Sequence, residues 1–92
     1  MDRATTWHIE IFLSEEGVRT RAVAVLRTGA RTELRHEGVA SRNPNDTDVP
    51  EIGEELASAR APSGLAQYLF EATVSDIEQN VHQRVQRLQF DT

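Results

Sequence analysis

The sequence predicts an α+β domain, three antiparallel strands followed by one short and one long helix (β-β-β-α-α), and three observations carry that expectation. Apolar residues alternate along the chain up to about residue 40. Beyond about residue 49 they recur every three or four positions, the period of a helix face. Between the two regimes, and again at Ala61-Pro62-Ser63-Gly64, turn-forming residues interrupt the pattern. The 92 residues form one domain, 1–92, long enough to bury roughly 60–70% of the surface of its unfolded chain. The expected segments are a sheet over 6–40, a loop over 41–48, a short helix over 49–61 and a long helix over 64–88.

Thr6 to Leu13, TWHIEIFL, places Trp7, Ile9, Ile11 and Leu13 on one face of a strand and His8, Glu10 and Phe12 on the other. Ser14-Glu15-Glu16-Gly17 supplies the turn to an antiparallel neighbour. In the second strand, Val18 to Arg27, Thr20, Ala22, Ala24 and Leu26 make a small-residue face suited to lying under a helix. Its other face is a valine pair, Val23 and Val25, bracketed by Arg19, Arg21 and Arg27. Two readings of that face stay open. Arginine stems covering valines on a half-solvated sheet is one; an anion-binding or subunit-pairing surface, apolar at its centre with an arginine rim, is the other. The third strand, Thr32 to Ala40, alternates weakly, and its Gly38 predicts either a bulge or a close backbone approach. Arg31 and Arg35 extend the basic character of this half, and Arg42 continues it into the loop.

Asn43-Pro44-Asn45-Asp46 is turn chemistry, after which Asp48 is expected to cap the first helix, with Glu51 completing a capping box and Pro50 in the first turn. Ile52, Leu56 and Ala59 are its expected inward positions, and Gly53 is read as permitting close packing on the strands. Pro62 is expected to end this helix near Ala61, with Ser63 capping the next. The long helix has Ala66, Phe70, Val74, Ile77, Val81, Val85 and Leu88 on one side. At 1.5 Å per residue it would run ~36 Å, longer than the strands it covers, so its far end needs other cover. A homodimer is therefore expected, with Val81, Val85 and Leu88 in the interface beside Val23 and Val25.

Composition excludes more than it assigns. All ten basic residues are arginine, yet the net charge is −5, which argues against a general nucleic-acid binder and against DNA as a partner. The charge is uneven. Gly17 to Pro44 holds six Arg against two Glu, and Asn45 to Thr92 holds nine acids against three Arg. There is no cysteine, so no disulfide or thiolate metal site is available, and no apolar run reaches the ~20 residues of a membrane span. A cytoplasmic protein is expected. His8, His36 and His82 are scattered without metal-ligand spacing, and no glycine-rich phosphate loop or nucleophile–base pairing stands out. No enzyme, metal or cofactor is expected.

Three stretches carry a resemblance: Trp7-His8-Ile9-Glu10-Ile11, the turn and strand from Gly17 to Leu26, and Ala40-Ser41-Arg42-Asn43-Pro44 followed by Val49-Pro50-Glu51-Ile52-Gly53-Glu54-Glu55-Leu56-Ala57-Ser58-Ala59-Arg60-Ala61. Together they resemble a family of short actinobacterial proteins, linked to mycobacterial dormancy, with a double-stranded-RNA-binding-like fold. That resemblance implies a two-layer domain, a dimer similar to ribosome hibernation-promoting factors, and a stress-linked role on the ribosome or structured RNA. On that expectation Arg19, Arg21, Arg27, Arg31, Arg35 and Arg42 are the RNA- or anion-binding candidates. The alternative is a dimerisation or protein–protein module in which nucleic acid plays no part.

Overall fold

A computed structural model describes residues 2–29 and 33–90, with side-chain surroundings defined as far as residue 84. Three strands, β1 (His8–Glu16), β2 (Arg19–Arg27) and β3 (Leu34–Ser41), form an antiparallel sheet in the order β1-β2-β3. A single helix, α1 (Pro50–Phe90), follows. β1 and β2 join through Gly17-Val18, where Gly17 has φ +61° and Val18 a negative φ. A positive φ at only the first of two turn residues is the II′ arrangement, whose twist matches that of the strands it joins. The strand pairing runs unbroken from Glu16↔Arg19 to His8↔Arg27, so β1 takes in residues that the sequence reading gave to the turn.

The two expected helices are one. Pro62 lies inside α1, where it removes one hydrogen-bond donor and costs about 3 kcal/mol relative to alanine. The packing around it explains why the helix continues. Ala57, Ala61 and Leu65 are all buried against the sheet on either side of the proline, and ending the helix at Ala61 would lift that row away. Ser63 is correspondingly no cap: its hydroxyl donates to the Ala59 carbonyl one turn back (2.8 Å). Asp48 pairs with Arg42 Nε at 3.6 Å, and the first turn is closed by the Ile52 N–H on the Val49 carbonyl (3.1 Å).

The inward face of the helix also differs from expectation. Ile52, Leu56, Ala59, Ala66, Phe70, Val74, Ile77 and Val81 are all exposed, whereas Gly53, Ala57, Ala61 and Leu65 face the sheet. The cause lies in the strands beneath. Ala22, Ala24, Ala40 and Gly38 make a nearly flat surface, and only a helix row of equally small residues can come down onto it. Gly38 marks the closest approach: a Cβ there would sit 2.4 Å from the Ala61 nitrogen and 2.6 Å from the Ala57 oxygen. Its pairing with Ala22 is regular, so the close approach, not the bulge, is what the glycine serves. Gly64 likewise lies against the His36 ring, and Arg60 Nη1 donates to the Val39 carbonyl at the sheet margin (2.7 Å).

Candidate interaction surfaces

The register assigns four of the six candidate arginines. Alternation puts Arg19, Arg21, Arg27 and Arg35 on the sheet face turned away from α1, with Val23, Val25, Glu10, Phe12, Glu16 and Glu37. Glu33 joins them at one end through its bonds to Arg27 and Arg35. Sequence alone counted the arginines of one segment; the pairing sets an equal number of glutamates among them. Arg21 bridges to Glu37 (2.8 Å), Arg27 to both Glu10 and Glu33 (3.3 Å to the latter), and Arg35 to Glu33 (3.0 Å). Hydrogen bonds from Arg35 and then Arg27 hold the Glu33 carboxyl below its ordinary value. The face is a lattice of exposed ion pairs with no net charge. Such a surface offers phosphate little, because the guanidinium groups of Arg21, Arg27 and Arg35 would first have to leave their carboxylates.

Arg42 stands apart and is occupied with the loop: Nη1 donates to the Asp46 carbonyl (2.9 Å) and Nε faces Asp48. Arg31 lies outside the described residues, as do the side chains of Val85 and Leu88. Val25 is only 2% exposed although it lies on the face turned away from α1, and Val23 is half-buried. Val25 therefore offers no surface to a partner. Among the described residues no group of three or more His, Asp or Glu side chains could hold a metal ion, and no buried side-chain polar atom lacks a hydrogen-bond partner. No helix there is long and apolar enough to cross a membrane.

What the fold leaves open is apolar. α1 lies over β3 and β2 and scarcely reaches β1. The helix-side residues of β1, Ile9, Ile11 and Leu13, are thus exposed, as is Trp7 just before the strand at 54%. The second open surface is the outward side of α1. A row spaced by three and four runs through Ile52, Leu56, Ala59, Ser63 and Ala66 and on through Phe70, Val74, Ile77 and Val81, with Phe70 68% and Ile77 58% exposed. The spacing of that row was legible in the sequence; its direction was not. Forty-one residues span ~62 Å, while a nine-residue strand spans ~30 Å, so the distal half of α1 projects beyond the sheet and the molecule measures 71 × 28 × 18 Å.

A three-stranded meander carrying a helix twice its own length, with the apolar row turned away from the sheet, defines a small α+β protein. A family model described as Rv2632c-like matches residues 5–86, and the chain belongs to this family. It is 45% identical over 80 residues to the uncharacterized protein Rv2632c of Mycobacterium tuberculosis, covering 87% of this chain and 85% of that one. It is 43% identical over 77 residues to the uncharacterized protein Mb1767 of Mycobacterium bovis, with 84% and 81% covered. The crystal structure of Rv2632c is similar with a TM-score of 0.80 at 42% identity, over 88% of this chain and 95% of that one. These relatives give family and fold and assign no activity.

Proposed function

We propose that the chain is a non-enzymatic protein-assembly module that self-associates through the outward row of α1. One observation carries this reading: the longest apolar row in the molecule, Ile52 to Val81, is exposed along its length and lies on the side of the helix that its own sheet does not use. Contiguous exposed apolar surface on this scale marks an interaction site, and a heptad-like spacing is the pattern of a helix that pairs with another helix. Association also supplies cover that a core made largely of alanine does not.

The stress-linked role suggested by the resemblance would then run through assembly and not through phosphate contacts, since the sheet arginines face glutamates. Sedimentation and filter binding separate the two. The parent should sediment above the mass of one chain at micromolar concentration, and Ile77→Asp with Phe70→Asp should return it to monomer with the fold intact. Both residues are exposed, so neither change disturbs the core. A monomeric parent that retains structured RNA at low salt and loses it on charge reversal at Arg19 and Arg21 would replace this reading with the RNA one.

A further inference from the structure

The projecting helix has a partner of its own length in a second copy of the same chain, and its charges fix the direction in which that copy lies. Along the outward row, one flank carries Glu55 and Arg84, 29 residues or about eight turns apart. The opposite flank carries Arg60 and Glu78, 18 residues or about five turns apart. All four are exposed. The pairs 55 with 84 and 60 with 78 share a midpoint at residues 69 to 70, which is also the middle of a helix running from 50 to 90.

On the assembly reading above, we propose that two copies pair α1 against α1, antiparallel, about a twofold axis passing beside Phe70. In that arrangement like flanks meet. Glu55 of each copy then faces Arg84 of the other, and Arg60, which uses one nitrogen on Val39, turns the rest of its guanidinium to Glu78. The contact is isologous, so each pair occurs twice. A parallel pairing would instead bring opposite flanks together, matching Glu55 with Arg60 of the other copy but leaving Glu78 and Arg84 without an opposite charge. Pairing along the free edge of β1 would leave the entire helix row in water. The antiparallel form covers the row on both copies and places the two sheets at opposite ends and on opposite outer sides of the helix pair.

Single-site disulfide trapping tests the geometry, and the absence of cysteine gives it no background. A disulfide needs Cβ atoms about 4 Å apart. Phe70→Cys, close to the axis, should oxidise to a linked dimer. Val81→Cys should not link to itself, while a chain carrying Ala59→Cys and Val81→Cys should link in high yield. These sites are all exposed, so the variants keep the core. Self-linking of Val81→Cys would mean a parallel pair and overturn the proposal, as would a dimer by light scattering that none of these cysteines traps. In that second case assembly stands and only its geometry fails, whereas a monomeric parent removes the assembly reading as well. Glu55→Arg should weaken dimerisation roughly tenfold, two exposed pairs being lost together, and adding Arg84→Glu should restore it.

Discussion

Gly38 and Gly53 both lie in the helix–sheet contact, but a methyl group at each would meet different neighbours. At Gly38 it would press on helix backbone, the Ala61 nitrogen and the Ala57 oxygen, which cannot turn aside. Gly38→Ala should destabilise by about 2–3 kcal/mol, read as a lower midpoint in urea. At Gly53 the obstacle is the Thr20 hydroxyl at 2.6 Å, which a rotation of that side chain relieves, and alanine also favours the helix by ~1 kcal/mol. Gly53→Ala should therefore stay within about 1 kcal/mol of the parent, and equal losses at both sites would refute the assignment of Gly38 as the closest point. Glu33 offers a test by titration. Because Arg35 and Arg27 hold its carboxyl below the ordinary 4.5, the unfolded chain takes up the proton first as the pH falls. Its contribution is complete above about pH 4.5 and fades below. The gap in Tm between the parent and Glu33→Gln should close as the pH drops through that range; a gap constant from pH 7 to 3 would show that the cluster contributes nothing.

At the scale of elements, Pro62 distinguishes one helix from two. If α1 is continuous, Pro62→Ala restores a donor and removes a steric conflict, and the protein should gain on the order of 1–3 kcal/mol. A break at Ala61 would make the same change close to neutral, which thermal melts can resolve. The strands were legible in the sequence because Trp7 to Leu13 and Thr20 to Leu26 alternate cleanly, and alternation has one structural meaning. The helix was legible as a helix but not in its rotation. Sequence assigns the largest apolar residues to the core, and here Ile52, Phe70 and Ile77 were outcompeted by Gly53, Ala57 and Ala61 because the strand face beneath is itself made of alanine and glycine. The ion-pair lattice was hidden for a similar reason. Glu10 and Arg27 are neighbours only once β1 is set against β2.

For the whole molecule, these features describe a thin sheet gripping one end of a long helix by a row of small side chains, with little apolar bulk held inside a single subunit. Among the described residues Leu26, Leu65 and Val25 are the largest fully buried side chains. Stability and assembly should consequently be coupled, with Tm rising as protein concentration rises. Trp7, the sole tryptophan, is exposed beside the open edge of the sheet and lines a cavity with Leu34 and with Leu69, Ala72 and Thr73 of α1. The fold has thereby placed one fluorophore in the cleft between the sheet edge and the side of α1 that faces it. Its emission should stay that of a water-exposed indole when the helices pair, and a blue shift would report a ligand seated on β1 instead.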